Sequence, residues 1–261
     1  MDKTNKTHFG FKNVDKDQKT RLVKNIFSNV ATKYDLMNDL MSASVHRIWK
    51  NEMVKHIDFC VQGKKAKNLS YDFKIIDLAG GTGDIAFRIA KKAQLENISS
   101  TINVVDINQE MLEVGKERNL NCKNYSNIKF ICQDGENLKF EDNYFDYFTI
   151  AFGIRNFTNI DKALSEAKRV LKPGGKFICL EFSKINDYFL QKIYNFYSFK
   201  IIPKIGEIVL NDRESYQYLV ESIRKFPDQE AFAQMITDCG FKEVSFKNLT
   251  FGTVAIHIGK K

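Results

Sequence analysis

The sequence predicts an α/β fold: a doubly wound, mostly parallel sheet of seven strands with a C-terminal antiparallel hairpin, an N-terminal helical lid and a helical insertion after strand five. Three observations predict it. The stretch Phe73–Asp84, reading Phe-Lys-Ile-Ile-Asp-Leu-Ala-Gly-Gly-Thr-Gly-Asp, is a short apolar strand that ends in a glycine turn and opens a helical pattern at Ile85. Strand-length apolar runs then alternate with helical patterns as far as Phe182, the signature of parallel strands joined by crossovers. Finally, Glu243–Asn248 and Thr253–Ile258 read as two strands joined at Leu249–Gly252, a closing hairpin that ordinary dinucleotide domains lack.

In chain order, Met1–Arg21 is polar and reads as loose apart from Phe9-Gly10-Phe11. It has neither the apolar core of a signal peptide nor an obvious Arg/Ser-rich, acid-poor transit composition. From Leu22 to Phe59 apolar residues such as Val23, Ile26, Phe27 and Val30, then Trp49, Met53 and Ile57, recur at helical spacing, so two or three amphipathic helices precede the first strand of the sheet. Residues 1–71 thus form a lid that ends in a polar linker, Gln62–Tyr71, and residues 72–261 form the sheet domain. Within the lid, Tyr34-Asp35-Leu36-Met37-Asn38-Asp39 mixes aromatic, thioether and amide groups, the makeup of a pocket wall for a flat, polar-substituted ring.

The second strand, Ile102–Asp106, ends in an acid, and the third, Ile128–Gln133, is followed by Asp134-Gly135. The fourth, Phe145–Phe152, leads into Gly153-Ile154-Arg155-Asn156. A helix over Lys162–Leu171 is stopped by Lys172-Pro173-Gly174-Gly175, and Lys176–Phe182 is the fifth strand. The insertion, residues 184–226, is rich in aromatics (Tyr188, Phe189, Tyr194, Phe196, Tyr197, Phe199, Tyr216, Tyr218) and reads as a packed helical lobe, an apolar channel, or both. Asp228–Cys239 is a helix closed by Gly240.

The ligand of the glycine turn is open between two classes. Gly81-Thr82-Gly83-Asp84-Ile85-Ala86 fits a dinucleotide fingerprint with alanine in third place. Against this, Asp84 would repel a pyrophosphate at the helix N-terminus, and Asp77, late in the strand, suits a ligand that carries a cation. S-adenosylmethionine has an ammonium, a sulfonium and no phosphate. Asp106 lies about twenty residues past the loop, where a carboxylate accepts both ribose hydroxyls. An acceptor at Asp134 suits the adenine amine. No Gly-Lys-Ser/Thr follows, which excludes a Walker-type phosphate loop.

Composition bounds the remaining classes. No apolar run of about 18 residues or more is present, so nothing in the sequence reads as a bilayer span. The net charge of +8 is spread over lysines along the chain and weakly favours anionic surfaces. No nucleic-acid motif accompanies it, so a nucleic-acid partner is not expected. The five cysteines, Cys60, Cys122, Cys132, Cys179 and Cys239, are scattered without a Cys-x-x-Cys pair, which points to a reducing compartment and against a metal site.

Several blocks together resemble the ubiquinone/menaquinone biosynthesis C-methyltransferase family: Phe9-Gly-Phe11, Lys33-Tyr-Asp-Leu-Met-Asn-Asp39, Asp77–Asp84, Phe152-Gly-Ile-Arg-Asn156, Arg169-Val-Leu-Lys-Pro-Gly-Gly175, Leu180-Glu-Phe-Ser183, Ser215-Tyr-Gln-Tyr-Leu-Val-Glu-Ser222 and Ala255-Ile-His257. The resemblance runs from Phe9 to the C-terminus, and the Tyr34–Asp39 and Gly153–Asn156 blocks are its most specific parts. It implies a Rossmann-like class I methyltransferase that uses S-adenosylmethionine to methylate a ring carbon of a 2-methoxy-6-polyprenyl-1,4-benzoquinol. Demethylmenaquinol or another lipid-like acceptor is the alternative, and a non-catalytic scaffold of a quinone-synthesis assembly is a third.

By position, the resemblance implies cofactor contacts from Asp77, Gly81, Thr82, Gly83, Asp106, Ile107, Asp134, Gly135 and Ala151, and a substrate pocket of Tyr34, Met37, Asn38, Arg155, Asn156 and Tyr197. Ala151 stands where many bacterial members carry serine, so only backbone contact is expected there. Arg155 matches the family position beside the ring; arginine is a poor base, so its implied catalytic role is to stabilise the phenolate, directly or through a water. His46, on a helical face, reads as structural. A polyprenyl quinol implies a peripheral membrane enzyme, with Lys184, Lys192, Lys200 and Lys204 facing headgroups, a place in a quinone-biosynthesis complex, and room for a homodimer. The implied location is the matrix face of the mitochondrial inner membrane, with bacterial cytoplasm as the alternative.

Overall fold

In a computed structural model of the protein, the described residues are 6–30, 38–39, 42, 44–61, 64–65, 71–185, 187, 189, 191–192, 197, 204 and 213–261. The chain opens with a hairpin, β1 (Lys6–Phe9) and β2 (Lys12–Asp15), paired antiparallel about Gly10 and Phe11. It continues directly into α1 (Lys16–Val30). This corrects the expectation of a loose N-terminus. The hairpin is held from outside its own sequence: Phe9 stacks on Tyr218 at 4.2 Å between ring centroids, and the Phe11 N–H donates to Glu221 at 3.0 Å. Polar composition hides such anchoring because only two aromatic rings carry it. After α2 (His46–Val54), a small antiparallel ribbon, β3 (Cys60–Val61) with β4 (Lys64–Lys65), spans the start of the expected linker.

The main sheet has seven strands. Four parallel strands, β5 (Asp72–Leu78), β6 (Ser99–Asp106), β7 (Ile128–Cys132) and β8 (Phe145–Ala151), are joined by a fifth, β9 (Leu171–Phe182). The crossover helices are α3 (Asp84–Glu96), α4 (Gln109–Arg118) and α5 (Ile160–Val170). Then follow α6 (Arg213–Lys225), α7 (Gln229–Asp238) and the closing strands β10 (Lys242–Leu249) and β11 (Val254–Lys260). The order across the sheet is β10-β11-β9-β8-β5-β6-β7, with β11 antiparallel to β9 and β10 antiparallel to β11.

Alternation along β5 explains how the sheet carries helices on both faces. Phe73 and Ile75 pack into one core with Trp49 and Met53 of α2 and Ile89 of α3; Ile76 and Leu78 pack into the other with Leu164 of α5 and Phe232 of α7. The expected helix ending at Leu171 stops at Val170 instead. Leu171 already pairs with Phe145, and the Lys172–Gly175 segment is a bulge before Lys176 pairs with Tyr147. Of the insertion, α6 and isolated residues are described; Tyr188, Tyr194, Phe196, Phe199 and Lys200 lie outside the described residues.

Strand order reverses at β5, which has β6 on one side and β8 on the other. Ligands of open α/β sheets bind outside the strand carboxyl ends at such a switch point. Leu78 is in register with both Val105 and Ile150, so Ala79, Asp106 and Ala151 emerge at one level.

Candidate active site

A cleft with about 1060 Å³ of empty space, its open mouth included, lies over these strand ends. Two of its lining residues, Ala79 and Phe152, terminate adjacent strands with φ of 51° and 57°, a conformation that costs side-chain-bearing residues energy and collects at functional sites. The two turns lie against each other: a Cβ on Gly153 would come within 2.5 Å of the Ala79 Cβ. Gly83, at φ +80°, is the N-cap of α3. Only glycine takes that conformation without penalty.

Three carboxylates set the electrostatics. Asp77 is buried; its Oδ1 accepts the Thr149 hydroxyl at 2.9 Å, while Oδ2 has no hydrogen-bond partner among the described residues. Burial pushes its pKa up to about 7, against the pull of the Thr149 hydrogen bond. Asp106 accepts the Gly81 N–H at 3.0 Å and the Asn108 N–H at 2.8 Å, so the ribose-side acid also folds the glycine loop toward β6. Burial raises it to about 6 despite these bonds. Asp84 differs from expectation. Lys50 donates to it at 2.9 Å and Arg88 at 3.1 Å, and although burial opposes ionisation these cations hold it down to about 2. It therefore offers no bare charge to repel a phosphate. The preference for a cationic ligand rests on Asp77, which lines the cleft and keeps one buried carboxylate oxygen unpartnered among the described residues.

Of the sequence-predicted cofactor residues, Asp77, Gly81, Asp106, Ile107, Asp134, Gly135 and Ala151 line this cleft. Thr82 and Gly83 stand behind it: Thr82 is buried, and a Cβ on Gly83 would press on Phe130 and Phe87. Asp134 is exposed, and its Oδ1 accepts the Glu136 N–H at 2.9 Å.

On the acceptor side, among the described residues of the predicted pocket, only Asn156 lines the cleft. Arg155 precedes it yet points away. Its Nη1 donates to Glu181 at 2.8 Å and to the Phe152 carbonyl, its Nε to the Ser222 hydroxyl at 3.4 Å, and its guanidinium lies over the Phe182 ring. Burial pushes the Glu181 carboxyl up while the Arg155 charge pulls it down. Asn38 keeps a buried Nδ2 without a partner among the described residues, and neither it nor the half-buried Tyr197 lines the cleft. Tyr34 and Met37 lie outside the described residues. His46 is braced by Ser42, whose hydroxyl donates to the Asn38 carbonyl at 2.7 Å and so accepts the His46 Nδ1–H at 2.9 Å. Burial, with Lys50 nearby, lowers its pKa to about 4, a neutral, structural histidine.

Sequence reasoning expected an N-terminal lid without saying which of its residues meet the cleft or how it is held there. Thr20, Val23, Lys24 and Phe27 of α1 line the cleft. Lys19 donates to the Phe157 carbonyl at 2.7 Å, the Thr20 and Thr158 hydroxyls meet at 3.2 Å, and the Asn108 amide donates to the Lys24 carbonyl and Ser28 hydroxyl, each at 3.1 Å. These bonds strap α1 across the opening. The helical spacing of Val23 and Phe27 marks an apolar face, but nothing local says what it covers.

The model of the ubiE/COQ5 methyltransferase family matches residues 12–261. The chain belongs to that family. Over 257 residues it is 51% identical to a ubiquinone/menaquinone biosynthesis C-methyltransferase of Rickettsia bellii, spanning 98% of this chain and 99% of that one. The Rickettsia rickettsii protein of the same description is 52% identical over 255 residues, 97% and 98% of the two chains. Among solved structures, an S-adenosyl-L-methionine-dependent methyltransferase from Methanococcus maripaludis aligns with a TM-score of 0.59 at 17% identity over 90% of this chain and 93% of the other. One from Thermotoga maritima, described as a SAM-dependent methyltransferase, aligns with a TM-score of 0.55 at 20% identity, over 91% and 99%. At such identities these two establish the fold alone. The protein is a methyltransferase with the fold of S-adenosylmethionine-dependent methyltransferases, and the buried Asp77 carboxylate, with one oxygen unpartnered among the described residues, and the Asp106 carboxylate fit the cation and the ribose of that cofactor.

Proposed function

We propose that this methyltransferase places a methyl group on a ring carbon of a 2-methoxy-6-polyprenyl-1,4-benzoquinol. The observation that supports this reading most directly is its likeness, over nearly its whole length, to relatives described as ubiquinone/menaquinone biosynthesis C-methyltransferases. Because that description covers both quinones, demethylmenaquinol is the second acceptor.

In this reading Asp77 accepts the cofactor's ammonium, Asp106 the ribose hydroxyls and Asp134 the adenine amine. The bound cofactor supplies an electrophilic methyl group. The protein's own task is to hold an electron-rich ring carbon in line with it, and alignment of this kind lowers barriers by several kcal/mol. Asn156 borders the acceptor end and orients a ring oxygen. Arg155, buried against Glu181, builds the turn that carries Asn156, a different task from direct contact with the ring. No described helix is long and apolar enough to cross a membrane. Reversible docking through basic residues, each contributing on the order of 1 kcal/mol at an anionic surface, brings the enzyme to its lipid substrate. In that picture Lys184, Lys192 and Lys204 face the headgroups, and assembly with other quinone-synthesis enzymes or a second copy is compatible with it. The relatives are bacterial, so this reading places the enzyme in a bacterial cytoplasm, at the inner face of the membrane, instead of in a mitochondrion.

Transfer of labelled methyl from S-adenosylmethionine to short-chain analogues of both quinols tests the proposal. Turnover of the benzoquinol above the naphthoquinol is expected; transfer to neither would overturn it.

A further inference from the structure

Asn156 has a partner that the cofactor and acceptor assignments leave unused. Tyr218, on α6, donates its hydroxyl to Asn156 Oδ1 at 2.9 Å. Tyr218 is buried, and one face of its ring is stacked on Phe9 of the N-terminal hairpin, with centroids 4.2 Å apart and planes 19° apart. Burial, together with the nearby Glu181, raises its pKa, opposed by Arg155, so the phenol keeps its proton at any working pH and stays a donor.

The consequence for Asn156 is directional. A carboxamide has one oxygen that accepts and one nitrogen that donates two hydrogen bonds. In the observed arrangement Oδ1 is held by Tyr218, and the amide nitrogen is the group left for the cleft that Asn156 lines. What remains for the cleft is N–H. An oxygen bearing a lone pair or a negative charge is matched by such a group, while one that must donate a proton is not.

We propose that Tyr218 is a positioning residue that locks Asn156 as a hydrogen-bond donor toward the methyl acceptor, so that the site favours an acceptor presenting a phenolate or ether oxygen beside the reacting carbon. The inference rests on the quinol reading and deepens it. It also gives the hairpin a purpose, because Phe9 backs the ring that sets the amide.

A double-mutant cycle tests the lock. Tyr218→Phe keeps the stacked ring and removes only the hydroxyl; it should lower kcat/KM for the quinol analogue about 3–10-fold, the scale of one lost hydrogen bond, with the cofactor Kd unchanged within about twofold. In an Asn156→Ala background the same Tyr218→Phe change should have almost no further effect, because the group it orients is gone. Asn156→Asp, which turns an oxygen toward the acceptor, should cost more than Asn156→Ala. Equal losses from Tyr218→Phe in both backgrounds, no loss in either, or a milder effect of Asn156→Asp would each overturn the assignment. Should the parent enzyme methylate neither quinol, the quinol reading fails separately; the cycle is then read by calorimetry on 4-methoxyphenol binding to the S-adenosylhomocysteine complex, with the same criteria.

Discussion

The half of the cleft proposed to hold the adenosine is made from residues at strand ends: Ala79 to Gly81 after β5, Asp106 to Asn108 closing β6, and Gln133 to Gly135 after β7. The acceptor half is assembled from the turn after β8, braced from β9 by Glu181 and from α6 by Tyr218 and Ser222. In the first half the acids answer mainly to burial, with Asp106 held by backbone N–H groups of its own loop and the β5 loop and Asp77 by the Thr149 hydroxyl of the adjacent strand. In the second, a single buried ion pair and one phenol connect elements from three parts of the chain. The comparison teaches that the donor site belongs to the sheet, and would survive changes elsewhere, whereas the acceptor site belongs to the packing between elements.

Replacing Arg155 should separate the two halves most sharply. Arg155→Ala leaves Glu181 buried and uncompensated and frees the turn that carries Asn156, so we expect methyl transfer to fall by roughly 10²-fold through misplacement of the acceptor side and stability to fall by about 3–5 kcal/mol, while the variant, below its melting temperature, still binds the cofactor. Pairing it with an apolar residue at both positions, Arg155→Met with Glu181→Leu, should recover the stability and not the turnover. Denaturation curves beside initial rates check both; a stable, fully active Arg155→Ala would break the contrast.

On the other side of the comparison, Asp106→Ala removes a charge-assisted acceptor and an anchor of the glycine loop. Calorimetry should show the cofactor Kd raised by roughly 10–100-fold, with the melting temperature changed less than in Arg155→Ala.

The pH response of cofactor binding should belong to the donor half. A cationic ligand needs Asp77 ionised, and with a pKa of about 7 its ionised fraction falls about tenfold between pH 8 and pH 6. Cofactor affinity should therefore drop about tenfold over that interval. The stability of the ligand-free protein moves the opposite way. A carboxylate raised above its unfolded value destabilises the fold above pH 7, and this penalty is relieved as pH falls through 7 toward the unfolded value near 4. Melting curves without ligand check the sign; an Asp77→Asn variant should lose the affinity trend and the part of the stability trend centred near 7, leaving the part that Asp106 contributes near 6.

The smallest effect is expected where α1 is strapped down. Asn108 caps α4, accepting the Glu110 and Met111 N–H groups, and holds α1 through the Lys24 carbonyl and Ser28 hydroxyl. Asn108→Ala should cost about 1 kcal/mol of stability and weaken cofactor binding only a few-fold. A loss as large as that of Asp106→Ala would mean that the lid, and not the sheet edge, dominates donor binding.

Much of this molecule is legible in order along the chain. The β5 strand, its glycine turn and the first turn of α3 are contiguous, and the alternation of Phe73, Ile75 and Ile76 reports two covered faces because side chains in a strand alternate with period two. The acids Asp77, Asp106 and Asp134 could be named in advance because a doubly wound sheet puts ligands at its strand ends. The N-terminal hairpin was not legible, since Phe9 finds its stacking partner in Tyr218 and polar residues surround it. Nor was the state of Asp84, whose charge is spent on Lys50.

What the sequence alone determined is therefore the sheet, its closing hairpin, the glycine turn and the acids of the donor site, all products of patterns a few residues long. Only the tertiary structure decided where Arg155 points, which way Asn156 offers its amide and what α1 covers. Those depend on contacts 26 residues apart between Arg155 and Glu181, 62 between Asn156 and Tyr218, 84 between Lys24 and Asn108, and 138 between Lys19 and Phe157. A side chain's direction is set by whichever partner is present once the loops between have closed, and no local periodicity encodes that partner.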